Sequence, residues 1–373
     1  MGIESLGVDV SYVVKCDKAS VERYLGGAVL RCGKGDYYIT PFNPPHEVDM
    51  YKYIYSMVLS STALYVGYYT APGVIDVLNP NTLDIIHTFK APRGHNNIRV
   101  LVLSSTALYV GYDTSPGIID VLDPNTLDVI RTFYASSGHD IVRALIHSST
   151  ALYVGYDTVP GIIDVLDPNT LDIIHTFNAP SGHDSVRALA LSSTALYVGY
   201  WTNPGIIDIL DSNTFNIIYS FTAPSGHDDI RALALSSTAL YVGYSTAPGI
   251  IDVLNPNTLD IIRTFTAPSN HNYIYTLHVS STALYVGYDT SPGIIDILNS
   301  NTLDIINTVK APIGHHSVNA LALSSTALYV GYSTSPGIID VLNSSTLDLR
   351  SDVSPCCSGF LVSNGGSTLI KRV

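Results

Sequence analysis

The sequence predicts an all-β fold, a β-propeller of seven regular four-stranded blades, and three observations carry that expectation. The string Ala-Leu-Tyr-Val-Gly-Tyr occurs seven times, its first tyrosine at Tyr65, Tyr109, Tyr153, Tyr197, Tyr241, Tyr285 and Tyr329, with every interval 44 residues. Each unit holds four short strand-like stretches and no helical periodicity, which is how a propeller blade reads. Two of those stretches are apolar at nearly every position, so both of their faces must be buried, as happens when a blade is sandwiched between two others.

The third copy shows the elements in order. Strand A starts at Val142, and Ser148-Ser149-Thr150 turns the chain into strand B over 151–156, rich in aromatic and β-branched residues that suit a pleated surface. Residues 157–161 form the next turn, where Pro160 fixes φ and Gly161 supplies a permissive backbone. Gly161 is expected at positive φ, so that Gly161→Val would destabilise the blade. Strand C covers 162–166, the Asp167-Pro168-Asn169-Thr170 stretch predicts a type I turn, and strand D covers 172–177.

The repeats occupy residues 53–353, leaving 1–52 and 354–373 to close the ring. Stretches 358–363 and 367–373 resemble strands A and B, while 28–32 and 36–42 resemble C and D. They predict a composite eighth blade made from both termini; the alternative is a seven-bladed ring whose last outer strand is 37–42. All four cysteines, Cys16, Cys32, Cys356 and Cys357, lie in these segments, as disulfides clasping the ends or as reduced, buried thiols.

Composition narrows the function classes. The net charge of -13, from 31 acidic against 18 basic residues, argues against a nucleic-acid partner, which needs clustered Lys and Arg. No apolar run reaches the ~18 residues of a membrane span, and the N-terminus lacks the basic and hydrophobic regions of a secretory signal. Gln is absent and Met occurs three times, a composition that fits a thermophile source.

The Leu-Tyr-Val-Gly-Tyr strand, followed by Gly-Ile-Ile-Asp-Val-Leu-Asp, resembles the repeat of YVTN-type propellers, and Gly182-His183 is similar to the Gly-His pair of WD-repeat propellers, although the Trp-Asp dipeptide is missing. The resemblance implies the fold; propellers host unrelated activities.

The repeats generate rings of like residues. Asp76, Asp120, Asp164, Asp208, Asp252, Asp296 and Asp340 occupy one place in strand C, where they line a cation site or, more simply, accept hydrogen bonds from the next strand. His95, His139, His183, His227, His271 and His315 sit one per blade before strand A, too far apart to share one ion and suited to stabilising turns. Tyr68, Tyr112, Tyr156, Tyr200, Tyr244, Tyr288 and Tyr332 close strand B, either capping the core between blades or, as for Tyr200 beside the single tryptophan Trp201, offering rings to a sugar or a protein. Arg99, Arg143, Arg187 and Arg231 share one place at the start of strand A, with Tyr55, Tyr275 and Asn319 in the remaining copies. They predict a cationic arc at one mouth of the channel, open to an anion or paired with loop carboxylates such as Asp140 and Asp184.

No nucleophile motif, phosphate-binding Gly-rich loop, metal cluster or cofactor motif is present, and catalysis needs one asymmetric constellation rather than sevenfold copying. The expectation is a non-catalytic scaffold for protein partners at a cell surface or in a virus particle. Alternatives are a lectin-like module binding surface glycans and a propeller enzyme such as a lactonase.

Overall fold

The computed structural model describes residues 53–344 and, as backbone strands, Ala19–Tyr24, Gly27–Cys32, Gly359–Ser363 and Gly366–Thr368. Every described element is a strand, and consecutive strands A to D pair antiparallel in each sheet. Together they form a seven-bladed propeller. The inner strands are Tyr53–Leu59, Ile98–Leu103, Val142–His147, Val186–Leu191, Ile230–Leu235, Ile274–Val279 and Val318–Leu323. The outer strands of blades 1 to 6 are Ile85–Lys90, Val129–Tyr134, Ile173–Asn178, Ile217–Thr222, Ile261–Thr266 and Ile305–Lys310. Three strands of blade 7 fall within the described residues.

Strands B and C are buried along nearly their whole length, as their continuous apolar runs require. In blade 2, all five residues of both Leu108–Tyr112 and Ile118–Leu122 are buried. The core is a set of clusters between blades, each combining side chains from two neighbours. Tyr109 and Ile119 of blade 2, for example, pack with Val142, Leu152 and Tyr156 of blade 3.

The same packing closes the ring directly between blades 7 and 1. Ile54, Met57 and Leu64 share a cluster with Ala327, Tyr329 and Val341. Tyr329 Oη donates to the Pro80 carbonyl at 2.7 Å, the bond that Tyr65 makes to Pro124 across the first interface at 2.8 Å. The composite eighth blade is therefore corrected: seven blades complete the circle, the last packing directly against the first. The two ends of the chain do meet, in a separate four-stranded sheet ordered Gly27–Cys32, Ala19–Tyr24, Gly359–Ser363, Gly366–Thr368. The expected outer strand at 37–42 and the side chains of Cys16, Cys32, Cys356 and Cys357 lie outside the described residues.

Two turns differ from expectation. Residues 167–171 form a loop one residue longer than a type I turn, with Leu171 N–H donating to the Asp167 carbonyl at 2.8 Å and Leu171 at φ 65°. A leucine in left-handed backbone costs about 1–2 kcal/mol, which burial of its side chain between blades 2 and 3 offsets. Gly161 is not at positive φ; that backbone belongs to Gly182, at 89°. Gly161 is required for space instead. A Cβ there would lie 3.1 Å from the His183 carbonyl, 3.1 Å from the Tyr200 ring and 3.2 Å from Val186. Gly161→Val is still expected to lower stability, by about 1–3 kcal/mol through overpacking, and a thermal melt that does not move would count against this contact.

Candidate functional site

A buried carboxylate in the middle of strand C needs partners, and each blade from 2 to 6 supplies three. In blade 4, Asp208 is fully buried. Its Oδ2 accepts from Tyr200 Oη at 3.0 Å and lies 2.8 Å from His183 Nδ1, while Ser220 Oγ of strand D donates to Oδ1. The His–Asp contact recurs at 2.7–3.1 Å for His95, His139, His227, His271 and His315. Burial, reinforced by the neighbouring Asp208 charge, pushes the Tyr200 hydroxyl well above its ordinary value.

The strand C aspartates thus accept hydroxyl hydrogen bonds from strand D, as expected, and the histidines fix the loop before strand A. That these residues form one network was missed. The signal was present in the constant spacings: 25 residues from His to Asp, 8 from Tyr to Asp, and 12 from Asp to Thr or Ser. Tyr200 is fully buried inside this network, so its ring caps the core between blades.

The copies also differ at the mouth of the axial channel. A cavity of about 320 Å³ there is lined by Arg99, Arg143, Arg187 and Arg231 on one side and by Tyr55, Tyr275 and Asn319 on the other, with Trp201 beside the arginines. The predicted cationic arc exists, but its carboxylate partners are not Asp140 or Asp184. Arg99 donates from Nε and Nη2 to Asp113 at 3.0 and 2.6 Å, and Arg143 to Asp157 at 2.9 and 2.6 Å. Both partners stand 14 residues on, just after strand B of the same blade, where the hairpin returns them beside the start of strand A. Asp140 instead accepts from Ser115 Oγ at 2.6 Å.

Arg187 and Arg231 are held differently, because Trp201 and Ser245 occupy the places equivalent to Asp113 and Asp157. The Arg187 guanidinium stacks on Trp201 at 3.6 Å and comes no nearer than 3.8 Å to Asp157 of the preceding blade. Arg231 lies between Trp201, at 4.8 Å, and Tyr275, at 4.7 Å. Burial and then the like charge of Arg143 pull the Arg187 pKa down to about 9, with Asp157 opposing and Arg231 and Arg99 adding to the fall.

A second, wider cavity of about 600 Å³ lies between the loops of blades 6, 7 and 1, lined by Asp289, Ser291, His316, Ser317, Ser335 and Tyr53. Among the described residues, no group of three or more His, Cys, Asp or Glu stands close enough to hold a metal ion. No helix among them is long and apolar enough to cross a membrane.

No family model and no curated protein sequence matches the chain. Its fold is similar to the crystal structure of the computationally designed Ika8 protein, with a TM-score of 0.59 and 18% identity over 83% of this chain and 90% of that one. At that identity the likeness shows the propeller fold alone.

Proposed function

We propose that this chain is a non-catalytic propeller scaffold that assembles with protein partners through its outer rim. The observation that carries the reading is a belt of exposed isoleucine on the outer strands. Ile86, Ile130, Ile174, Ile218, Ile262 and Ile306 are 49–58% exposed, one in each of blades 1 to 6. Each sits at a bulge. In blade 3 the register steps from Val165↔His175 to Leu166↔Ile173, which leaves Ile174 without a partner and turns it outward. Edge strands are ordinarily blunted with charge, and apolar side chains repeated along an open edge mark a protein interface. The His–Asp–Tyr networks support the non-catalytic part of the reading, because they commit each blade's titratable groups to holding loops rather than converging on one reacting atom.

The variant Ile174→Ser, Ile218→Ser, Ile262→Ser tests this by sedimentation velocity. These positions lie in solvent, so each change is expected to cost less than about 0.5 kcal/mol. The native chain, alone or with the protein that accompanies it in its source, is expected to form larger species that the variant does not. Identical sedimentation of the two, with and without that protein, would overturn the proposal.

A further inference from the structure

The four axial arginines are not equally compensated. Arg99 and Arg143 each have a carboxylate in their own blade, whereas Arg187 and Arg231 face Trp201 and Ser245 in its place. Asp113 and Asp157 are engaged by Arg99 and Arg143, so Arg187 has only the shared Asp157 at 3.8 Å and Arg231 has no ion pair among the described residues. Asp229 accepts from Trp201 and feels the charges of Arg231 and Arg187, but it makes no ion pair with either among the described residues, and burial holds its carboxyl above the usual range.

The two arginines also carry unused donors. The Arg187 side chain is only 10% exposed, and its Nε is buried with no acceptor; the Nε of Arg231 is in the same condition. Buried N–H groups are almost always paired, and an unpaired one on a charged group is costlier still. Both line the axial cavity, where Trp201 stacks on each guanidinium and Tyr275 on that of Arg231, fixing their direction.

We infer that this cavity is a binding site for a tetrahedral oxyanion, a phosphate or sulfate group held on the propeller axis by Arg187 and Arg231. A single carboxylate would engage one of the two guanidiniums. A phosphate or sulfate group brings about two negative charges and several acceptor oxygens, enough to engage both guanidiniums, and arginine forks match that geometry. The site is independent of the rim, so either reading stands without the other.

Trp201 is the only tryptophan and stacks on Arg187, so its fluorescence reports on the cavity. The full chain is titrated with inorganic phosphate, with sulfate and with a sugar phosphate, ionic strength being held constant with chloride. A saturable change in Trp201 emission is expected. Ser245→Asp, which gives Arg231 the partner that Arg99 and Arg143 have, is expected to weaken binding at least about tenfold while the melting curve is retained. Arg231→Gln is expected to do the same, and covers the case in which Ser245→Asp fails to fold. Tighter binding of the sugar phosphate places the group on an organic carrier, and equal binding identifies the free ion as sufficient; both support the site. No saturable change with any of the three anions, or undiminished binding by the folded variants, would overturn it.

Discussion

Raising the pH above about 10 is expected to unfold the ring abruptly rather than to titrate it gradually. Tyr68, Tyr112, Tyr156, Tyr200, Tyr244, Tyr288 and Tyr332 are all buried, and burial together with the strand C aspartates raises the pKa of each. Below the ordinary tyrosine pKa, folded and unfolded chains both hold these protons, and the contribution to stability is complete. Above it, the unfolded chain releases them and the folded chain does not, so stability falls as pH rises toward the folded values. Each tyrosine contributes about 1.4 kcal/mol per pH unit, and the seven together roughly 10 kcal/mol per unit. A net stability of about 5–15 kcal/mol would then vanish within roughly 1.5 pH units. The share of tyrosinate absorbance that belongs to these seven rings should appear together with the loss of backbone circular dichroism, in one steep step. Ionisation of the full complement of tyrosines while the strands remain intact would contradict the buried network.

The second large effect concerns the acceptor of that network. Asp164→Ala is expected to cost about 3–5 kcal/mol, because it strands Tyr156 Oη, His139 Nδ1 and Thr176 Oγ1 in the interior at once. On a chain of this size the melting temperature should fall by about 4–8 °C. Thr176→Val removes one donor and leaves the other two bonds in place, so it should cost about 1 kcal/mol. Equal losses from the two substitutions would show that Asp164 acts through local packing alone.

Much of this architecture was legible in the sequence, because the 44-residue period and the unbroken apolar runs of strands B and C leave few ways to bury both faces. Ring closure was not. The terminal segments carry strand-like residues, and their composition does not reveal whether they pair with a blade or with each other. Whether a seventh interface is complete depends on Ile54 and Met57 fitting against Gly331, a long-range fit that no local pattern encodes. The axial site was half visible. The arginine arc stood out as a break in the repeat, yet its partners were sought among the nearby loop residues Asp140 and Asp184. The strand A–B hairpin brings Asp113 and Asp157 closer, and reading the positions 14 residues on would have exposed both the pairing and its failure at Trp201 and Ser245. Gly161 shows the opposite error, a steric requirement taken for a backbone one.

The histidine loops have a consequence beyond their own blades. The His183 carbonyl accepts from Gly161 N–H of blade 3 at 2.8 Å, while its imidazole reaches Asp208 of blade 4, so one residue is riveted to two successive sheets. A linear array of repeats can fray from its ends and can gain or lose a copy with little penalty. Here every copy is an internal one, and an eighth would change the angle at all seven joints simultaneously. The number of copies is therefore fixed by geometry, and deletion of one 44-residue unit should yield an open, association-prone arc rather than a smaller wheel.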